Sequence, residues 1–130
     1  MSNAVWIILL VVTTYCAGCK RDPIKPSGCS NCITYSFKAD IIPIFQQNCS
    51  TIGCHTSPNP AFNISLDSAV AYAAITHPGT GYVVAGNPNL SVMLSQLYTG
   101  VNPHMPIGYQ LDACDIQKIY CWIQEGAPDN

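Results

Sequence analysis

Apolar residues recur at helical spacing in four stretches of the chain, and Pro- and Gly-rich loops separate them. The first stretch runs from about Lys38 to Asn48, with Ile41, Ile42, Ile44 and Phe45 as its apolar face. Pro43 fits only in a first turn, where a missing N–H costs little. The second runs from about Asp67 to Ile75, with Asp67 as N-cap and Ala69, Val70, Ala73 and Ala74 as its small apolar body. Asn87 and Pro88 open a third, which reaches about Tyr98 and ends at Gly100. The fourth is the clearest. Asp112 caps it, Asp115 favours the same end, and Ile116, Ile119, Tyr120 and Ile123 form one stripe before Gly126 and Pro128 stop it. No strand-like alternation or internal repeat is evident. The pattern predicts a small all-α domain of about four helices, with loops taking nearly half its length. Long loops without structure of their own point to something central that organises them.

Upstream of the helices the pattern changes. Residues 4–12 are an unbroken apolar run, too short to span a bilayer comfortably and suited to the core of a signal peptide. The following Ala17-Gly18-Cys19 is similar to a bacterial lipobox, in which the cysteine receives lipid and becomes the new N-terminus. No Lys or Arg precedes the apolar run, and Cys16 stands where such a motif usually has Leu, so a plain signal peptide or a short uncleaved anchor remains the alternative. The expected organisation is a lipoprotein-type signal peptide over 1–18, a polar tether over 19–34 and one domain over 35–130.

Composition sharpens this picture. Eight cysteines in 130 residues suit an oxidising compartment, hence export to the periplasmic or cell-surface side of a membrane. A domain this small needs a staple, whether disulfides, a metal or a buried cofactor. The net charge of −2 hides an asymmetry: four of five basic residues precede residue 40, and from Asp40 onward six acids face Lys118 alone. A nucleic-acid partner is excluded, because that role needs a basic surface. An acidic domain on a basic tether suits a membrane-side module docking partners through their positive patches, although the charge also serves solubility.

The candidate chemistry lies in Cys49-Ser-Thr-Ile-Gly-Cys54-His55. In c-type haem attachment two cysteine thiols add across the haem vinyl groups as thioethers, and the histidine after the second cysteine binds the iron. Four residues separate these cysteines instead of the usual two. The spacer can bulge outward while both sulfurs reach one ring, and Gly53 gives the backbone freedom to turn. A Cys49–Cys54 disulfide with an incidental His55, or part of a zinc site, fits the same residues. Met105, between His104 and Pro106 in a polar loop, is poorly placed for core packing and well placed as a soft ligand opposite imidazole. Met93 reads as ordinary core, His104 as a residue of the pocket mouth, and His77 as a loop residue without a catalytic role.

Over 35–130 the chain resembles a monohaem cytochrome c-type domain of bacterial, Bacteroidetes-like lipoproteins. The matching residues are Ile42-Pro-Ile-Phe45, Asn48-Cys-Ser50 with Gly53-Cys-His55, Gly86-Asn-Pro88 with Ser91, His104-Met-Pro106, and Ile119 with Trp122-Ile123 and Glu125-Gly-Ala-Pro128. The resemblance implies a fold in which the first and last helices cross and help to close the haem pocket. It also implies Met105 as distal iron ligand opposite His55, with one covalent haem c held through Cys49 and Cys54. Ile44, Phe45, Ile119 and Trp122 are expected to bury it.

Of the remaining cysteines, Cys114 and Cys121 fall seven residues apart on one helix, so at 1.5 Å per residue their Cα atoms are roughly 10 Å apart and beyond the ~7 Å reach of a disulfide. Cys29 and Cys32 precede the first helix. At least one disulfide is expected to staple their segment to the last helix; a redox-active Cys29–Cys32 pair is the weaker alternative. The expected function is electron transfer without catalysis, one electron at a time. Its redox protein partners would be a dehydrogenase, a quinol-linked complex or an oxidase, with the membrane reached through lipid on Cys19. Two alternatives stand beside it. One is a haem-based sensor or peroxidase-like protein with a displaceable Met105, and the other a haem-free surface lipoprotein stabilised by disulfides or zinc.

Overall fold

The computed structural model of the protein describes Cys29 and residues 31–98, 100–101 and 104–130. The expected signal peptide, the lipidation of Cys19 and most of the tether lie outside the described residues. Among the described residues all regular structure is helical, in agreement with an all-α domain. None of these helices is long and apolar enough to cross a membrane.

A π-helical turn, Phe37–Ile41, leads directly into α1, Ile42–Asn48. Pro43 explains the wide turn. It has no N–H to donate, and its ring crowds the carbonyl four residues back, so the preceding amides of Ile41 and Ile42 reach five residues back, to Ser36 and Phe37. Ser36 and Asp40 cap the turn reciprocally: the Ser36 hydroxyl accepts from the Ala39 amide at 3.1 Å, and Asp40 accepts from the Ser36 amide at 2.8 Å.

The second helix is shorter than its pattern predicts. α2 covers Ala71–Thr76, and Asp67 is not its side-chain cap. The main-chain oxygen of Asp67 accepts from Val70 and Ala71 to start the turn, while its carboxylate is engaged elsewhere. The third predicted helix is broken in two, a 3₁₀ turn at Pro88–Leu90 and α3 at Val92–Gln96. Ser91 causes the break. It is buried, its hydroxyl accepts from the Val84 amide at 2.9 Å and donates to the Asn87 carbonyl at 3.1 Å, so it pins a loop instead of continuing a helix.

The last helix, α4, covers Ala113–Gln124 and is capped by Asp112, which accepts from the Cys114 amide at 2.8 Å. It ends in a Schellman motif: Gly126, at φ +100°, donates to Ile123, and Ala127 donates to Trp122. Its apolar face, Ile116, Ile119, Tyr120, Trp122 and Ile123, is the centre of the core. Trp122 is fully buried, with its ring centroid 5.1 Å from that of Phe37, and its indole N–H donates to the Pro128 carbonyl at 3.0 Å. The first helical segment thus meets the last one through Phe37 and Trp122. Residues 129–130 fold back onto the same end, where Phe37 and Lys38 donate main-chain bonds to Asn130 and Lys38 pairs with Asp129 at 3.3 Å.

Two disulfides fasten the segment before the first helix to α4. Cys29 joins Cys114 and Cys32 joins Cys121, with Cα separations of 5.3 and 5.4 Å. Both lie well inside the bridgeable range. They place the domain in an oxidising environment, as in exported proteins. Cys121 is buried and Cys114 is exposed, so one bridge reaches into the core and the other lies at its edge.

Candidate functional site

The segment from Cys49 to Asp67 leaves α1 and folds into a tight set of turns. The amides of Cys49 and Ser50 both donate to Phe45, which closes the helix. The Cys54 amide then donates to Thr51 at 2.9 Å, and the His55 amide reaches back to the Cys49 carbonyl at 3.1 Å. The four-residue spacer therefore projects as a loop, with Ile52 at its tip 98 % exposed and Gly53 at φ +83°, a conformation that L side chains rarely adopt. Beyond the histidine, the Leu66 amide donates to the His55 carbonyl at 2.7 Å.

The carboxylate of Asp67 underlies this loop. Its Oδ1 accepts from the hydroxyls of Ser50 and Thr56, both at 2.6 Å. Its Oδ2 accepts from the Ser57 amide and the Ser65 hydroxyl, both at 2.9 Å. The bonds from Ser50, Thr56 and Ser57 hold the carboxyl well below the usual carboxylate range, because they favour the charged form.

A cavity of about 320 Å³ opens beside the loop. Phe45 from α1, Cys49 directly after that helix, Ile119 from α4, and Met93 and Gln96 from α3 form part of its wall, together with His55 and Met105. The rest is almost wholly apolar, and its size is that of a small-molecule or cofactor site. His55 is oriented from behind: its Nδ1 lies 3.0 Å from the Ile64 carbonyl oxygen, which can only accept, so Nδ1 carries the proton and Nε2 the lone pair. Met105 is held by its amide, which donates to the Gln96 carbonyl at 2.7 Å.

Three of the four expected site residues, Cys49, His55 and Met105, therefore share one cavity. Cys54 is half-buried and close enough to Cys49 to influence its titration, but it is not part of the wall. The Cys49 thiol is pushed up to about 11, first by burial and second by the neighbouring Cys54. Neither thiol is in a disulfide. Met93, read from sequence as ordinary core, lines the cavity too. Of the expected burying residues, Phe45 and Ile119 lie on the wall, whereas Ile44 and Trp122 lie in the core behind it. His104 is half-buried and off the wall, and His77 is exposed, its ring beside its own loop carbonyl at Pro78. Among the described residues no three His, Cys, Asp or Glu side chains converge, so the ligand set of a structural zinc ion is not assembled there.

Sequence reasoning missed Gln96 and Tyr82 on the wall and the role of Asp67. Nothing in their spacing distinguishes the first two from ordinary core and loop residues. Asp67 carried a signal, since four hydroxyl-bearing residues lie at Ser50, Thr56, Ser57 and Ser65, but it also satisfied a helix-capping pattern. The arrangement offers an apolar ligand one oriented imidazole, two thioethers and adjacent thiols. No family model, curated protein or solved structure matches the chain.

Proposed function

We propose that this domain is a monohaem c-type cytochrome that carries single electrons between redox proteins at the outer face of a bacterial membrane. The supporting observation is that His55, Met105 and Cys49 face one apolar cavity, with the His55 ring already fixed by Ile64. The residues fit a haem. Its flat apolar body needs such a wall, its iron favours imidazole and thioether donors, and its vinyl groups need free thiols, which Cys49 and Cys54 supply.

In this reading Cys49 and Cys54 would hold the haem covalently, and His55 and Met105 would be the residues that bind its iron. Bound haem supplies the reversible one-electron chemistry. The chain's part is to orient the imidazole through Nδ1, to present the Met105 thioether from a loop tied to Gln96, and to exclude water with Phe45, Leu97 and Ile119. Gln96 and Tyr82 are the other lining residues with polar side-chain groups. With His55 and Met105 both supplying donors, the chain itself would satisfy the iron, which would favour electron transfer over oxygen or peroxide chemistry. A lipid on Cys19 would hold the domain at the membrane, and its acidic surface suits partners with basic docking faces.

The test is expression of the full chain with a c-type maturation system, followed by denaturation and the pyridine haemochrome assay. The expected result is one haem per chain that stays attached after unfolding. A chain without haem, or with haem lost on denaturation, overturns the proposal.

A further inference from the structure

Asp67 gathers its donors from both flanks of the Cys49–His55 loop. Ser50 directly follows Cys49, and Thr56 directly follows His55; their hydroxyls meet on one carboxylate oxygen at 2.6 Å each. The second oxygen takes the Ser57 amide and the Ser65 hydroxyl. This side chain is not used to cap α2, which begins only at Ala71. Main-chain bonds from Cys54 to Thr51 and from His55 to Cys49 close the loop, and others tie Cys49 and Ser50 to Phe45, Cys54 to Ala61 and His55 to Leu66, while its tip is exposed and its turn depends on Gly53. Hydrogen bonds to an ionised acceptor are shorter and stronger than neutral ones, and this carboxylate is the side chain that joins Ser50 to Thr56, beside the direct main-chain bond from His55 to Cys49.

We propose that Asp67 is the positioning residue of the haem-attachment loop, its carboxylate fixing Ser50 and Thr56 so that the Cys49 thiol and the His55 imidazole face the same cavity. The inference rests on the haem reading for its purpose, while the placement itself is measurable without haem. Two consequences follow. Loss of the carboxylate frees the Cys49 end of the loop and further exposes a thiol that the native fold keeps half-buried. It also lets the two attachment points drift relative to the imidazole, so covalent linkage through Cys49 becomes incomplete.

The experiment uses the full chain with both disulfides formed, in haem-free and matured forms. Iodoacetamide labelling of the haem-free protein, read peptide by peptide by mass spectrometry, gives the rate at Cys49. Asp67→Ala is expected to raise that rate about tenfold, because one substitution removes several charge-assisted bonds together. Asp67→Asn is expected to fall between, since its amide oxygen still accepts from Ser50 and Thr56 but its nitrogen opposes the Ser57 amide. Asp112→Ala, which removes the cap of α4, serves as control and leaves the Cys49 rate within about twofold. If Asp67→Ala does not fold, Ser50→Ala and Thr56→Val cut the same bonds singly, and each should give part of the acceleration.

An unchanged Cys49 rate in the Asp67 variants, or an equal rise in Asp112→Ala, overturns the positioning role. In the matured protein, Asp67→Ala should lower the share of chains linked through Cys49, and full linkage there counts equally against the proposal. A wild-type chain that takes up no haem sinks the functional reading, whereas the labelling rates still decide whether Asp67 places Cys49.

Discussion

The Nδ1 atom of His55 lies 3.0 Å from the carbonyl oxygen of Ile64, nine residues further along the chain. That contact fixes the tautomer, because a carbonyl oxygen accepts and never donates. The neutral ring therefore carries its lone pair on Nε2. Nitrogen-resolved NMR of the haem-free protein is expected to show an unprotonated Nε2 for His55 at a pH where the ring is neutral. An Nε2-protonated ring would contradict the orientation described. In the matured protein, His55→Ala should abolish the six-coordinate spectrum while thioether linkage through the cysteines persists.

Met105 and Met93 both line the cavity, and the assignment of Met105 as distal ligand separates them. Met105→Ala is expected to lower the reduction potential by on the order of 0.1 V, a fraction of the roughly 0.8 V that axial ligands span. It should also admit carbon monoxide to the ferrous iron. Met93→Ala should do neither. Potentiometry with carbon monoxide titration checks both, and a fall in potential in Met93→Ala alone would transfer the role to Met93.

Much of this arrangement is legible from the residues, and the illegible parts share a cause. α4 is readable because Asp112, Gly126 and the Ile116, Ile119, Tyr120, Ile123 stripe agree with one another. The staple is readable because helix geometry forbids Cys114 from joining Cys121, although the choice between the two cross-pairings is a matter of tertiary placement. The starts of α2 and α3 are misread because Asp67 and Ser91 are polar residues with two possible uses. Each spends its side chain on a neighbouring loop, at Ser50 and Thr56 for one and at Val84 and Asn87 for the other. Met93 packs against the core as expected and lines the cavity as well, because helical spacing places it on an apolar face without saying how much of that face meets the cavity.

The Cys49 thiol supplies a pH dependence. Its ordinary value is 9.0, and burial with Cys54 nearby pushes it up to about 11 in the fold. The folded chain thus holds the neutral thiol more strongly than the unfolded chain does. The corresponding stability is fully present below pH 9.0 and is lost as pH rises through about 11. Denaturation of the haem-free protein should show a falling unfolding free energy over that window, and Cys49→Ala should flatten it. An identical slope in both proteins would remove Cys49 as the cause.

The two disulfides are coupled, and their removal should not be additive. They are separated by 85 and 89 residues, so either one alone closes nearly the same long loop. With Cys32–Cys121 in place, Cys29–Cys114 adds only the small ring formed by the 29–32 and 114–121 segments. In the chain-entropy model a ring of that size restrains the unfolded state by about 3 kcal/mol, and the long loop by about 4.5 kcal/mol. Removing the first bridge should therefore cost about 3 kcal/mol, and removing the second about 4.5 kcal/mol more. Cys32–Cys121 carries an extra packing contribution because Cys121 is fully buried, whereas Cys114 is exposed and its bridge should be reduced first. Guanidinium denaturation of Cys29→Ala/Cys114→Ala, Cys32→Ala/Cys121→Ala and the quadruple variant measures all three quantities. Losses from the two double variants that add up to that of the quadruple variant would show that the bridges restrain the unfolded chain independently, contrary to the overlapping loops of this fold.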